Sequence, residues 1–410
     1  MNIQIKKSSI QEQSAITITG SKSESNRLLL LQALFPNIGI QNISNADDAV
    51  LMQKALSSDS KIIDIHHAGT AMRFLTAFLA TQKDREVILT GSSRMQERPV
   101  KILVDVLNQL GAKITYENIE GYPPLKITGQ DINGKRASIK ANVSSQYISA
   151  LMLIAPSLKN GLELTLEGEI TSIPYINMTL GLLRQLDVNA EFKDNIISIK
   201  PVIEHLSLSP VALIVESDWS SASYFYSFVA LSNLETQITL SSYRKSSLQG
   251  DSVLADIYKE FGVNTTFNNN SIILKKVSKN NKPKAFNLVK CPDIAQTIAV
   301  TCLGLRLKCE LHGLHTLKIK ETDRLVALKN EIEKFGTFVS ITENSLIMDN
   351  SQPLNDNVTV ETYKDHRMAM AFAPLGLKTN LMINKANVVS KSYPDYWHDL
   401  INIGMTIKEI

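Results

Sequence analysis

Cysteine is scarce: only Cys291, Cys302 and Cys309 occur in 410 residues. Their spacing matches no metal-binding pattern, and their apolar surroundings read as thiols used as core filler in a reducing cytoplasm. Net charge is nearly absent too. A formal charge of +3 excludes nucleic-acid binding by bulk electrostatics, so any basic site must arise from local arrangement. No uninterrupted apolar run reaches the ~18 residues of a membrane span, and the start MNIQIKKSSI lacks the long apolar run of a signal peptide. The Gly-rich phosphate loop is also missing. His66–His67 and the pair His312/His315 have no third ligand at metal spacing, so no metal is expected.

What remains is an ordinary globular composition, 44% apolar and 20% charged, which excludes disorder. One core rarely grows past ~250–300 residues, so two or three domains are expected. Six times a cluster of small polar residues runs into an apolar stretch of helical length. The clusters begin near Ser25, Thr70, Ser145, Ser220, Asp293 and Asp365. The last five are about 72–75 residues apart, the signature of one unit copied several times. Each stretch alone reads as plain core; the regular spacing is what raises a functional reading. Each unit also offers a helix N-terminus, where free N–H groups and the dipole favour an anion.

A second element recurs: a strand, a polar loop, a helix, then a stop at Gly111, Asp187, Gly262 and Gly336. The turn-to-stop intervals are about 19–23 residues, and the αL conformation at such stops suits glycine. Strand and helix alternate, so the class is α/β. Three polar-start helices fall before about residue 215 and three after it. The expected organisation is two pseudo-symmetric lobes, residues 21–215 against 1–20 with 216–410. The chain crosses between them near Gly20 and at Val215–Asp218, and the natural site lies between the lobes.

Chemistry concentrates in a few segments. TGSKSESNR places Lys22, Ser23 and Arg27 at a strand-to-helix junction suited to phosphate. KETDR packs Lys320, Glu321, Asp323 and Arg324 together; Glu321 and Arg324 share a helix face at a spacing that usually makes a surface ion pair. DHRMAMAF sets His366 and Arg367 at the front of an apolar helix, a poor place for an unpaired Arg. SSRMQERP adds Arg94 and Arg98, and SKSYPDYW adds Lys391.

The segments SKSESNR, AGTAMR, RMQERP, SSQYISAL, SSASYF, KETDRL, DHRMAMAF and YPDYW resemble, in order and over nearly the whole chain, the signatures of the 5-enolpyruvylshikimate-3-phosphate synthases. The resemblance implies two lobes of three βαβαββ units each, an inside-out α/β barrel arrangement, with residues 1–20 joining the C-terminal lobe. It implies transfer of the carboxyvinyl group of phosphoenolpyruvate to the 5-hydroxyl of shikimate 3-phosphate, in a cytoplasmic monomer without metal or cofactor. The two substrates bring roughly −5 to −6 of charge, which demands several cations.

Carried over residue by residue, the phosphoenolpyruvate clamp resembles Lys22, Arg94, Arg324, Arg367 and Lys391, completed by Gly69 and Gln146. The shikimate 3-phosphate pocket resembles Lys22, Ser23, Arg27, Ser144, Ser145, Gln146, Ser172, Tyr175, Asp293 and Lys320. Asp293 is implied as base, Glu321 as the group exchanging the methylene proton, and Lys22 as partner of the phosphate and the developing charge.

Four positions depart from the usual pattern: His67 for Asn, Phe74 for Pro, Thr316 for a substrate-contacting Asn, and Trp219 for a small residue. Phe74, one turn from Gly69, is expected to shift its helix and alter sensitivity to glyphosate. The sister UDP-N-acetylglucosamine enolpyruvyl transferases often carry a Cys on the loop that here reads GSSRMQERP. A catalytically dead homologue would not need Lys22, Asp293, Glu321, Arg324 and Arg367 together.

Overall fold

A computed structural model describes residues 1–142, 144–170, 173–202, 211–349 and 352–410. The chain divides into two compact units, Gly20–Val215 and the combination of Met1–Thr19 with Glu216–Ile410. Parallel neighbours in a sheet need a long crossover, and helices supply it. Of the six polar-start helices, α1 (Lys22–Leu34), α2 (Gly69–Ala80), α3 (Ser145–Ile154), α4 (Trp219–Leu231), α5 (Ala295–Leu305) and α6 (His366–Phe372), four connect such neighbours: α2, α3, α5 and α6.

The repeat is visible in the sheets. In unit 20–215, strands Ile62–Asp64 and Glu86–Thr90 run parallel around α2, and Leu125–Thr128 and Lys113–Tyr116 add antiparallel. The same order recurs around α3 with Arg136–Lys140, Leu162–Glu167, Ile196–Ile199 and Ala190–Lys193. In the other unit it recurs around α5. Around α6 the N-terminal strand Ile3–Lys6 fills the third place, between Leu381–Ile383 and Thr406–Glu409.

The remaining two helices explain the crossings. Strand Gln13–Ile16 leads to α1 and then Ile38–Gln41, while Val211–Ile214 leads to α4 and then Gln237–Ser241. The parallel partners are exchanged: Ile38–Gln41 pairs with Val211–Ile214, and Gln13–Ile16 with Gln237–Ser241. Inside unit 20–215 the crossing is tied by Asn42, whose Nδ2 donates to the Val215 carbonyl at 2.9 Å. Gly20 sits there because a Cβ would run into the Asn42 carbonyl oxygen and the Val215 side chain. In the other unit, Ser217 Oγ donates to the Ile18 carbonyl at 2.5 Å.

The polar-start helices are the interior ones. All of α2 except Thr70, all of α4 except Ser220 and all of α5 except Leu305 are buried. Helices that are apolar all round belong inside, which accounts for stretches without an amphipathic stripe. The seam between α4 and α5 carries hydroxyls that satisfy each other, Ser223 with Thr297 at 3.0 Å and Thr301 with Ser227 at 2.8 Å. The second helices of the repeats lie outside and are one-sided; Lys101–Gln109 buries only Leu103, Val104, Val106 and Leu107. Their stops adopt positive φ as expected: Gly111, Asp187, Gly262 and Gly336 at 108°, 57°, 75° and 88°. Among the described residues no helix is long and apolar enough to cross a membrane.

Candidate active site

The residues marked in the sequence fall into two groups, one on each unit. In unit 20–215 the first two turns of α1 carry Lys22, Ser23 and Arg27. Lys22 Nζ lies 3.5 Å from Asp48. Arg27 is buried on the helix wall, where a planar fork can meet several acceptors at once. Its Nε donates to Thr179 Oγ1 at 2.8 Å, Nη1 to the Ser23 carbonyl at 2.8 Å and Nη2 to Ser149 Oγ at 2.9 Å. The rings of Phe74 and Tyr175 flank it, 5.4 and 5.8 Å from Cζ. Burial pulls Arg27 down to about 10, against Tyr175 and Glu24, which work to raise it.

Gly69 opens α2, and its place is crowded by cations. A Cβ there would come within 2.5 Å of Arg98 Nη1 and 3.2 Å of Arg73 Nη1. Arg73 is buried, with Nη1 donating to the Gly69 carbonyl at 3.0 Å and Nη2 to the Pro99 carbonyl at 3.3 Å. Burial, followed by Arg98, pulls Arg73 down to about 10. Next to them, Gln146 Nε2 donates to Thr70 Oγ1 at 3.2 Å and joins α3 to α2. Ser144 caps α3, its Oγ accepting from the Gln146 N–H at 3.3 Å, and Ser145 is the first helical residue. Tyr175 lies in the first turn of the helix Ile173–Gln185. Ser172 lies outside the described residues. Arg94 stands apart from this group, largely exposed and paired with Glu97 at 2.8 Å.

In the other unit Arg324 is the hub. It opens the helix Arg324–Lys334, capped by Asp323, and its side chain is 2% exposed. Nε donates to Asp365 at 2.6 Å, Nη1 to Asp293 at 2.9 Å and Nη2 to Glu321 at 2.7 Å. The Glu321–Arg324 pair is therefore no surface bridge, as its spacing alone suggested. It is one arm of a buried network that only tertiary packing creates. Burial lowers the Arg324 pKa, but Asp365, Glu321 and Asp293 together overcome it and hold the guanidinium above its ordinary value.

Lys320 Nζ approaches Asp293 at 3.5 Å. Arg367 Nη1 donates to the Asp293 carbonyl at 2.8 Å, while its Nη2 lies 3.5 Å from the Asp293 carboxylate. Asp365 caps α6, accepting from the Arg367 N–H at 2.9 Å. Lys391 stays outside this network and donates to the Lys364 carbonyl at 2.9 Å.

Two further residues join the network, Ser220 from the segment SSASYF and Asp251, which carries no motif of its own in the sequence. Ser220, at the polar start of α4, accepts from Arg367 Nη2 at 3.4 Å and donates to Asp251. The start of α4 therefore reaches the charged cluster. Burial, followed by the nearby Asp293, pushes the Asp251 carboxyl up to about 6. The same surroundings push Cys291 up to about 12, burial first and then Asp251 and Asp293. Trp219 is accommodated by Glu216, which accepts from its Nε1 at 2.8 Å, and by the Tyr243 ring at 5.0 Å edge-on.

The two groups differ in charge. In unit 216–410 Arg324, Arg367 and Lys320 face Asp293, Glu321 and Asp365, close to balance. In unit 20–215 Arg73 and Arg98 crowd together at Gly69, and Arg27 is a further buried cation with Glu24 acting on it.

The sequence model of the family described as EPSP synthase (3-phosphoshikimate 1-carboxyvinyltransferase) matches residues 35–400. The chain belongs to the EPSP synthase family. A 3-phosphoshikimate 1-carboxyvinyltransferase of Bacteroides fragilis is 44% identical over 403 residues, covering 97% of each chain. One of Haemophilus influenzae is 34% identical over 420 residues, covering 95% of this chain and 96% of that one. Among solved structures, EPSP synthase from Acinetobacter baumannii superimposes with a TM-score of 0.82 at 20% identity, covering 100% of both chains. The enolpyruvyl transferase NikO from Streptomyces tendae gives 0.74 at 14% identity, covering 99% and 98%. At such identities these structures speak for the α/β fold, which they share with this chain. Family membership agrees with the eight segments singled out in the sequence.

Proposed function

We propose that this chain transfers the carboxyvinyl group of phosphoenolpyruvate to the 5-hydroxyl of shikimate 3-phosphate and releases inorganic phosphate. The observation that carries this reading is the full-length relationship to proteins named for that activity, at 44% identity over 97% of the chain. The Arg324 network supports it, because it gathers the carboxylates that proton transfer requires beside the cations that anionic substrates require.

In this reading the cation-rich group of unit 20–215 takes shikimate 3-phosphate, through Lys22, Ser23, Arg27, Ser144, Ser145, Gln146, Ser172 and Tyr175. Asp293 and Lys320 complete that set. Phosphoenolpyruvate falls to Lys22, Gly69, Arg94, Gln146, Arg324, Arg367 and Lys391. Its anionic groups compete with Asp293 and Glu321 for Arg324 and Arg367. Loading the substrate draws those cations away and raises the proton affinity of the two carboxylates when it is needed.

Asp293 then takes the proton of the 5-hydroxyl as that oxygen bonds to C2 of phosphoenolpyruvate, and Glu321 gives a proton to the methylene carbon. In the second step the bond from C2 to the phosphate oxygen breaks. The methyl group returns a proton to Glu321, and the proton on Asp293 leaves with the phosphate. Lys22 offsets charge on the departing group. Both residue groups come from one chain, which supports a monomer as the working unit. Three buried, unpaired thiols support a reducing cytoplasm.

The test is phosphate release from phosphoenolpyruvate with different acceptors. Release that requires shikimate 3-phosphate is expected. Release with UDP-N-acetylglucosamine instead would reassign the chain to the sister activity.

A further inference from the structure

Helices α5 and α6 present Asp293 and Arg367 at their N-terminal ends. At their other ends lies a cavity of about 300 Å³ lined by Lys7, Gly304, Arg306, Leu354, Leu377 and Lys378. An α-helix rises 1.5 Å per residue, so the length of α5 separates this cavity from the Asp293 cluster by about 16 Å. It shares no residue with the Arg324 network.

The charge here is of one sign. Lys7, Arg306 and Lys378 line the cavity. Lys279 lies close enough to act on Lys378, and Lys276 is depressed first by its burial and then by Lys378 and Lys279. Lys276 is buried, with Nζ donating to the Ala230 and Phe261 carbonyls at 2.8 and 2.6 Å. Among the described residues none of these five cations forms an ion pair with a carboxylate, whereas Lys22 and Lys320 each have one within 4 Å.

Helix C-termini attract cations, but by an amount equal to about half a charge each. Lys276 is met by carbonyls at the ends of two other helical segments, but the two helix ends at the cavity do not balance the remaining four cations. Burial lowers Lys378, and Lys7, Lys279 and Arg306 lower it further, so the cluster repels itself as it stands. Arg306 also occupies the αL position that ends α5, at φ 57°, where glycine would sit without strain. A cation is kept there at a conformational cost.

We infer that this cavity is a second anion site, taking a small phosphate-bearing molecule of at least two negative charges. Its size admits a compact ligand and excludes a polymer, and Leu354 and Leu377 offer an apolar wall against which an organic portion can pack. Cations at an Arg and two Lys suit phosphate oxygens, through charge-assisted hydrogen bonds.

The experiment is calorimetric titration of inorganic pyrophosphate into the full chain, in wild type, in Arg306→Gln/Lys378→Gln and in Lys22→Ala. The catalytic groups also attract anions, so the Lys22 variant weakens that competing site while leaving the second one intact. Binding that survives Lys22→Ala and weakens by about tenfold or more in Arg306→Gln/Lys378→Gln is expected. Basal phosphate release by the double variant, whose residues lie outside the Arg324 network, is expected to stay at the wild-type level and reports that it folds. Pyrophosphate affinity equal in wild type and the folded double variant, or no binding to Lys22→Ala, would overturn the inference.

Discussion

Arg324 Nε donates to Asp365 Oδ2 at 2.6 Å with both side chains buried, and the same carboxylate caps the helix that carries Arg367. One residue thus positions both guanidinium groups of the network. Asp365→Ala takes one of three carboxylates from the buried Arg324 guanidinium, which keeps Asp293 and Glu321, and loss of a charged hydrogen bond of this kind costs about 1.5–3 kcal/mol. Loss of the cap adds about 1 kcal/mol. Asp365→Ala should therefore lower the melting temperature strongly, and a variant melting like wild type would contradict this role.

Asp251 gives a pH signature. Its carboxyl is held at about 6 against an ordinary 3.8, so the folded chain keeps the proton that the unfolded chain releases earlier. A raised carboxyl pKa means stability that is present at low pH and is lost as pH rises through the folded value. The loss amounts to about 3 kcal/mol above that value. Asp251→Asn cannot ionise. It should gain stability over wild type at about pH 8 and lose most of that advantage only at about pH 4, below which both states hold the proton. Thermal melts at the two pH values check the sign.

Phe74 is fully buried and its ring holds the Arg27 guanidinium at 5.4 Å. Restoring the family's usual residue by Phe74→Pro removes that contact, worth about 0.5–2 kcal/mol. It also deletes an N–H inside α2. We expect the glyphosate inhibition constant to change severalfold between wild type and the variant. Identical constants would show that the residue does not tune the site.

Trp219 donates to Glu216, a buried carboxylate that burial pushes upward. Trp219→Phe keeps an aromatic ring and withdraws the donor. Glu216 retains Arg244 N–H and Ser247 Oγ, so the expected loss is about 1–3 kcal/mol rather than unfolding. Denaturant titration measures it.

The repeat was legible in the sequence because interior helices are apolar all round and their stops need positive φ. The period of α2 to α6 and the turns at Gly111, Gly262 and Gly336 follow from that. The exchange of strand partners between Ile38–Gln41 and Gln13–Ile16 was not legible, since pairing across about 170–220 residues leaves no local pattern. The same holds at the site. KETDR and DHRM advertise Arg324 and Arg367, but Asp365 appeared only as a helix start, and Asp251 sits in a plain turn. Arg73 read as part of an apolar helix. Their importance comes from burial, which a linear pattern does not encode.

The most direct test of the account is phosphorus NMR of the purified chain with shikimate 3-phosphate and phosphoenolpyruvate together. The phosphoenolpyruvate signal is expected to be replaced one for one by inorganic phosphate while a new phosphate monoester replaces shikimate 3-phosphate, and Glu321→Gln is expected to slow both changes together. Inorganic phosphate appearing without shikimate 3-phosphate, or no change with both present, would contradict it.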